Sequence, residues 1–331
     1  MDYSNECILV TGAAGFIGSH VCCGLLGRGA KVVGVDNFDP YYSRDLKEHN
    51  LQMVRDAGGD FAFAELDICS TESLESLMTE HGVTGVVHLA AKAGVRPSIA
   101  DPVAYAKVNV MGTQSVLSAA TGAGCKRVLA ASSSSVYGNN EKTPFAETDS
   151  VEHPISPYAA TKRSCELIAD THHHLTGLPI AMLRFFTVFG PGQRPDLAIR
   201  IFLGKISKGE TIKMFGDGSM SRDFTYVDDI VSGVMAAYER IDSHGYRIWN
   251  LGSDHPMELR ELISTVEGVV GREAVIDQQP MQPGDVDRTW AELSRSKEEL
   301  GYRAETSIQD GIARQWAWMQ KNADAIGCSQ G

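Results

Sequence analysis

The segment Cys7-Ile-Leu-Val-Thr-Gly-Ala-Ala-Gly-Phe-Ile-Gly18 joins an apolar run, through three glycines, to an amphipathic stretch. The run Cys7–Val10 predicts a buried strand, and residues 17–28 predict a helix. The glycines allow a tight turn and a close approach to a pyrophosphate, whose charge the N-terminus of a helix favours. Their Gly-x-x-Gly-x-x-Gly spacing is not the commoner Gly-x-Gly-x-x-Gly. The strand before and the helix after therefore carry the prediction of a dinucleotide-binding loop.

Apolar β-branched runs alternate with amphipathic segments along the rest of the first half. Further strands are predicted at Lys31–Val35, Phe61–Leu66, Gly85–Leu89, Arg127–Ala131 and Pro179–Phe185. Further helices are predicted near 43–57, 71–80, 103–123 and 158–175. Repeated β-α units with right-handed crossovers predict an α/β fold with a doubly wound parallel sheet of the Rossmann type. Ligands of such sheets bind outside the carboxyl ends of the strands.

The strict alternation weakens after Gly190-Pro191-Gly192. We predict a cofactor-binding domain over residues 1–189 and a smaller C-terminal α/β substrate domain over 190–331. The helix-like segment 226–240 and the apolar run Tyr246–Leu251, together residues 226–251, are candidates for a return to the main sheet.

Composition excludes several classes of protein. The 331 residues contain 30 Lys and Arg against 42 Asp and Glu, a net charge of −12, which argues against a nucleic-acid partner. We see no apolar run long enough for a membrane span and no basic segment typical of a signal peptide. Seven scattered cysteines without a Cys-x-x-Cys pair favour reduced thiols and a cytoplasmic location.

Two acidic residues follow predicted strands. Asp36 stands 18 residues after Gly18, where a carboxylate accepts hydrogen bonds from both ribose hydroxyls and repels a 2′-phosphate. It therefore predicts selection of NAD over NADP, with a loop or capping acid as the alternative. Asp67 is predicted either to face the adenine or to cap the next helix.

A second constellation is Tyr158-Ala-Ala-Thr-Lys162, whose ends share one face of a helix that Pro157 begins. A free tyrosine is a poor base at neutral pH, and a neighbouring ammonium group favours its phenolate. We predict Tyr158 as the base, Ser133 as a hydrogen-bond partner of the same substrate hydroxyl, and Lys162 as electrostatic tuner and ribose anchor. The alternatives are a surface pair on the helix and, for the serines, a turn. For Ser132 we prefer the turn.

These motifs, with Val136-Tyr137-Gly138, Arg184–Pro191 and Gly216–Asp229, resemble the extended short-chain dehydrogenase/reductase family of NAD-dependent nucleotide-sugar enzymes. The resemblance covers nearly the whole chain and implies bound NAD, a UDP-sugar substrate held by residues 190–331, and a homodimer formed through two helices per subunit. It departs from galactose-type 4-epimerases at Ala93 and Gln282, which replace a cofactor-contacting lysine and a phosphate-binding arginine.

The resemblance also implies a set of site residues. The expected cofactor contacts are Gly12, Gly15, Phe16, Ile17, Gly18, Asp36, Asn37, Asp67, Ile68, Leu89, Ala90, Ala91, Asn109, Tyr158 and Lys162. The expected substrate contacts are Ser133, Ser134, Ser135, Tyr158, Thr187, Arg194, Arg222 and Asp285. We expect no metal, because three adjacent histidines at 172–174 cannot share one helical face.

The residues before Val136-Tyr137-Gly138 separate members of this family. Dehydratases and decarboxylases place an acid there, whereas Ser133-Ser134-Ser135 contains none, as an epimerase allows. Ala91–Arg96, Arg184–Ala198 and Met281–Val286 resemble UDP-glucuronate 4-epimerases more than UDP-glucose 4-epimerases. UDP-glucose or UDP-N-acetylglucosamine 4-epimerase stays an alternative, and a decarboxylase is disfavoured. A C6 carboxylate requires hydroxyl donors or a guanidinium, for which the candidates are Ser134, Ser135, Thr187 and Arg194.

Overall fold

The computed structural model describes residues 2–281 and 286–323. The strands are β1 Cys7–Thr11, β2 Lys31–Asp36, β3 Phe61–Glu65, β4 Gly85–His88, β5 Arg127–Ser133, β6 Ile180–Phe185, β7 Thr187–Phe189, β8 Thr211–Phe215, β9 Ser221–Tyr226, β10 Tyr246–Leu251, β11 Pro256–Glu258 and β12 Val275–Gln279. The α-helices are α1 Phe16–Leu26, α2 Arg44–Asp56, α3 Thr71–His81, α4 Val95–Ala100, α5 Pro102–Tyr105, α6 Gly112–Gly122, α7 Pro157–Thr176, α8 Ala198–Lys208, α9 Val227–Arg240, α10 Leu259–Val270, α11 Ser294–Leu300 and α12 Ile308–Lys321.

Seven parallel strands form the main sheet in the order β10-β6-β5-β4-β1-β2-β3. The predicted doubly wound fold is confirmed. The strand order reverses between β1 and β4, and at such a point the loops after the two strands diverge and leave a crevice. The residues that follow β1 and β4, Gly12 and Leu89, therefore border the expected cofactor site.

Two apolar layers cover the two faces of this sheet. Ile8 and Val10 pack into a cluster with residues of α1 and α9, whereas Leu9, which lies between them, packs with residues of α3 and α6. Successive side chains of a strand point to opposite faces. The uninterrupted apolar run in β1 is thus explained by burial on both sides.

The second half of the chain contributes to the main sheet and adds two small sheets. Strand β10 pairs in parallel with β6, and α9 packs beside α1, so residues 227–251 lie with the first half. The small sheets have the orders β11-β9-β7 and β12-β8. The domain boundary at residue 190 stays a prediction. No helix in the described part of the chain is both long enough and apolar enough to cross a membrane.

Two local expectations need correction. The run at Phe61–Leu66 is predicted to be covered on both faces, but β3 is an edge strand whose side chains are only half-buried. The helix predicted over 103–123 is divided into α5, a π-helical stretch Ala106–Met111, and α6. Such π-helical turns often occur at functional sites, and this one contains the buried Asn109.

Candidate active site

The glycine loop between β1 and α1 leaves no room for side chains. Gly12 has a φ of 73°, and a Cβ added to it would lie 2.9 Å from the backbone nitrogen of Ala90. A Cβ on Gly18 would lie 2.0 Å from the carbonyl oxygen of Gly12. No side chain caps the start of α1. The turn therefore presents the N-terminal N–H groups of α1 to an anion, as a bound pyrophosphate requires.

Asp36 ends β2 beside this loop and is buried. Its Oδ2 accepts a hydrogen bond from the backbone nitrogen of Ala14 at 3.2 Å, and its Oδ1 accepts one from that of Phe38 at 2.9 Å. Burial raises the pKa of the Asp36 carboxyl, and the Lys47 ammonium group opposes this rise. A carboxylate has about four acceptor sites, so these bonds leave room for a further donor. The carboxylate can thus receive the two hydroxyls of one ribose, so Asp36 and the glycine loop together fit NAD.

Tyr158 and Lys162 lie in the first turns of α7, which Ser156 caps by accepting a hydrogen bond from the backbone nitrogen of Ala159. The Tyr158 ring packs edge-on against Tyr105, with 6.2 Å between ring centroids. Lys162 is buried, and its Nζ donates to the carbonyl oxygen of Ala131 at 2.8 Å. That bond ties α7 to β5 two residues before Ser133.

The serines after β5 form a small hydroxyl cluster. Ser133 Oγ accepts hydrogen bonds from Ser135, from its backbone nitrogen at 3.2 Å and from its Oγ at 2.9 Å. Ser134 and Ser135 line a cavity of about 160 Å³ together with Thr187 and Arg222. The fold therefore brings four of the predicted substrate residues to one cavity, with Ser133 bonded to its wall. A larger, open groove beside β3 and α3 contains none of the predicted site residues.

Three predicted residues are placed differently or not described. Arg194 Nε and Nη2 donate to the Asp196 carboxylate at 3.0 and 2.7 Å, and the guanidinium lies 5.4 Å from the centre of the Tyr41 ring. It does not line the cavity. Asp67 accepts from the backbone nitrogen of Cys69 at 2.8 Å, in the turn before α3, and its role at the adenine stays a prediction. Asp285 lies outside the described residues, as does Gln282.

Asn109 reaches the loop after β4 from the π-helical turn. Its Oδ1 accepts from the backbone nitrogen of Lys92 at 2.8 Å, and its Nδ2 donates to the carbonyl oxygen of Lys92 and to Thr161 Oγ1, each at 3.0 Å. Lys92 Nζ forms an ion pair at 3.0 Å with Asp39, which lies in the loop after β2. Asn109 thus holds the segment that contains the predicted cofactor residues Leu89–Ala91.

A buried ion pair supports α7, and sequence reasoning missed it. Glu166, one turn after Lys162, accepts from Arg184 Nε and Nη2 on β6 at 2.8 and 2.9 Å and from Ser132 Oγ at 2.6 Å. Arg184 Nη1 also donates to Tyr137 Oη at 2.9 Å. Burial opposes the charge of Arg184, but the bonds to Glu166 outweigh it and raise the pKa of the guanidinium. The sequence offered one signal of this pair, since Arg184 interrupts an otherwise apolar strand.

Comparison with known proteins identifies the family. The family model described as NAD dependent epimerase/dehydratase matches residues 8–252. A UDP-glucuronate 4-epimerase of Thermodesulfobacterium geofontis is 40% identical over 319 residues, which cover 96% of this chain and 97% of that protein.

Two crystal structures of nucleotide-sugar epimerases superpose on the fold. UDP-glucuronic acid 4-epimerase of Bacillus cereus, with UDP-glucuronic acid and NAD, matches with a TM-score of 0.88 and 36% identity, over 96% of this chain and 99% of that one. UDP-glucose 4-epimerase of Thermotoga maritima, with UDP-glucose, also matches with a TM-score of 0.88. It is 31% identical, and the match covers 96% of this chain and 100% of that one. The resemblance inferred from the motifs is confirmed. The chain belongs to the NAD-dependent epimerase/dehydratase family.

Proposed function

We propose that the protein is a UDP-glucuronate 4-epimerase, which interconverts UDP-glucuronic acid and UDP-galacturonic acid with bound NAD. The observation that carries the proposal is the acid-free cavity wall, in which Ser134 and Ser135, with Ser133 bonded behind them, stand where dehydratases and decarboxylases have an acid. The similarity to enzymes of this activity along nearly the whole chain supports it.

The cofactor and three side chains would each have a separate role in the reaction. Bound NAD supplies a reversible hydride acceptor for C4 of the sugar. Tyr158 would take the proton of the C4 hydroxyl and return it to the C4 oxygen after the ketone has turned within the active site. Ser133 holds the same oxygen by a hydrogen bond. Lys162, positioned by the carbonyl oxygen of Ala131, stabilises the Tyr158 phenolate and anchors the ribose.

The hydroxyls of the cavity suit a C6 carboxylate. Ser134 and Thr187 can donate to its oxygens without adding an acid, and Ser135 can do so when its hydroxyl turns away from Ser133. The 4-keto intermediate is a β-keto acid, which loses CO2 when its carboxylate turns perpendicular to the ketone plane. Hydroxyls that hold the carboxylate still would protect the epimerised product. Arg194 is a weaker candidate for this contact, because Asp196 binds one edge of its guanidinium and the residue does not line the cavity.

The first experiment incubates the purified protein with UDP-glucuronic acid, without added NAD, and follows the sugar by proton NMR. We expect UDP-galacturonic acid and no UDP-pentose, which also requires that NAD is retained. UDP-pentose or a 4-ketopentose would contradict the argument from the serines. Turnover of UDP-glucose or UDP-N-acetylglucosamine alone, in the same tube, would favour the alternative that the Thermotoga maritima structure represents.

The catalytic assignment is tested with Tyr158→Phe and a matched control, Tyr105→Phe. Tyr105 packs against Tyr158, but its hydroxyl donates to the carbonyl oxygen of Ala93. We expect Tyr158→Phe to bind NAD normally and to lose nearly all turnover, whereas Tyr105→Phe keeps most of it. Full activity of Tyr158→Phe would overturn the mechanism.

An exposed apolar surface supports a homodimer. Ile99, Val103 and Met111, in and between α4 and α6, are 51%, 77% and 59% exposed, and Leu167 on the neighbouring α7 is 52% exposed. A second copy would cover this patch. Light scattering should give a dimer for the wild type and a monomer for Val103→Glu/Met111→Glu. Val275→Glu, at a 54% exposed residue of β12 in a different sheet, is the control that should stay dimeric.

The six cysteines in the described residues are free thiols. They are compatible with a reducing compartment, and we propose a cytoplasmic location, which cell fractionation tests.

A further inference from the structure

His88 is the last residue of β4, at the point where the strand order of the main sheet reverses. Its side chain is buried, and both ring nitrogens have partners. Nδ1 lies 2.7 Å from Thr11 Oγ1, at the end of β1, and Nε2 lies 3.1 Å from Thr113 Oγ1, on α6. The imidazole thus joins the two strands beside the expected cofactor site to a helix on one face of the sheet.

The partners of Thr11 fix which ring nitrogen carries the proton. Thr11 Oγ1 accepts hydrogen bonds from the backbone nitrogens of Leu89 and Ala90, both at 3.1 Å. A hydroxyl has two acceptor sites and one proton, so the remaining proton of Thr11 goes to Nδ1 of His88. Nδ1 is therefore the acceptor, and a neutral ring carries its proton on Nε2, which donates to Thr113.

The chain of hydrogen bonds continues in the same direction from Thr113. Its hydroxyl donates to Cys165 Sγ at 3.4 Å, and the Cys165 thiol donates to the carbonyl oxygen of Asn109 at 3.2 Å. The Asn109 side chain in turn holds both backbone groups of Lys92. One end of the chain thus holds Leu89 and Ala90, and the other end holds Lys92. Both ends of the segment Leu89–Lys92 depend on the same imidazole.

We propose that His88 is a positioning residue for the cofactor: its neutral Nε2–H tautomer fixes the segment Leu89–Lys92 against the glycine loop. The distance that matters is the close approach of Gly12 to Ala90, where even a Cβ would lie 2.9 Å from the backbone nitrogen. A second proton on the ring would set Nδ1–H against the Thr11 hydroxyl and break the chain at its first link.

Electrostatics agree with this geometry. Burial, assisted by the positive charge of Lys162, lowers the pKa of His88 to about 3, which keeps the ring neutral at pH 7. The proposal rests on the NAD cofactor of the proposed function but not on its sugar. A direct titration of NAD therefore tests it whichever nucleotide sugar is turned over.

The tautomer is measured first, on the wild-type protein with 15N-labelled histidine. We expect His88, assigned by its absence from a His88→Asn sample, to show an unprotonated Nδ1 and a protonated Nε2 at pH 7. A protonated Nδ1, or an imidazolium, would overturn the proposal. This measurement does not depend on how well any variant folds.

The affinity for NAD is then compared by calorimetry among three variants, each first freed of the NAD that it retains. His88→Phe keeps the ring volume and removes both hydrogen bonds, so we expect a Kd raised on the order of tenfold to a hundredfold. His88→Asn keeps an acceptor near the Nδ1 position and should recover part of that loss. Val86, two residues earlier in β4, is fully buried and has no part in this chain of hydrogen bonds. Val86→Ala should therefore lower the stability of the protein and leave the Kd for NAD unchanged.

Two results would contradict the inference. A His88→Phe variant that binds NAD as tightly as the wild type would show that the chain of hydrogen bonds does not position the segment Leu89–Lys92. A Val86→Ala variant as impaired as His88→Phe would show that the loss follows stability alone. If His88→Phe does not fold, the comparison of His88→Asn with Val86→Ala decides: equal affinities of those two would also overturn the proposal.

Discussion

Arg184→Met should test how strongly the buried pair under α7 holds the fold together. Arg184 is 1% exposed and Glu166 is fully buried. The substitution removes two of the four donors to the Glu166 carboxylate and leaves Ser132 and Arg163. Hydrogen bonds to charged groups are worth about 1.5–3 kcal/mol each, and breaking a buried ion pair costs about 3–5 kcal/mol. We expect the free energy of unfolding to fall by about 3–5 kcal/mol.

The double variant Glu166→Gln/Arg184→Met separates the pair from the packing around it. It removes the buried Glu166 charge, which the single variant leaves with Arg163 as its remaining ion-pair partner, so it should lose less stability than the two single variants summed, by at least about 2 kcal/mol. The assay is urea unfolding followed by tryptophan fluorescence, in which the buried Trp249 of β10 is a natural reporter.

A surface pair provides the matched control. Arg28 and Glu239 lie 2.8 Å apart with partly exposed side chains. Exposed pairs contribute at most about 1 kcal/mol, so Arg28→Met should change stability little. The reasoning would be refuted if Arg184→Met cost no more than Arg28→Met, or if the double-variant cycle showed no coupling between Glu166 and Arg184.

The other predictions concern the cofactor site. Gly18→Ala should abolish NAD binding by calorimetry, because its Cβ would lie 2.0 Å from the carbonyl oxygen of Gly12, whereas Gly268→Ala, with nothing within 4 Å, should bind NAD normally. Asp36→Ala should narrow the preference for NAD over NADP, and an unchanged ratio of the two Kd values would contradict the role given to this carboxylate. The pKa of His88 falls to about 3, below its unfolded value, so its contribution to stability is present above pH 6.5 and is lost as pH falls. The free energy of unfolding, measured at pH 6, 5 and 4, should therefore fall as the pH falls. His88→Asn should reduce the slope of this fall by about 1.4 kcal/mol per pH unit.

Much of the fold could be predicted, because the information is local. Burial on both faces makes each parallel strand an apolar run, and the glycine loop needs a strand before it and a helix after it. The exceptions have tertiary causes. The β3 run looks like an inner strand, yet the strand order leaves it at the edge. The π-helical turn at Ala106–Met111 has no signature in the composition of that segment.

For the site, the sequence established which chemical groups are present and which are missing. Three glycines, Asp36, the Tyr158 and Lys162 pair and the acid-free serines are all readable from spacing, because each motif lies within one turn or one strand end. Their neighbours are not readable, since contacts between residues far apart in the chain depend on how the strands are ordered. Glu166 of α7 meets Arg184 of β6, and His88 meets Thr11 across 77 positions. Only the folded sheet, which places β1 beside β4 and β5 beside β6, creates those hydrogen bonds.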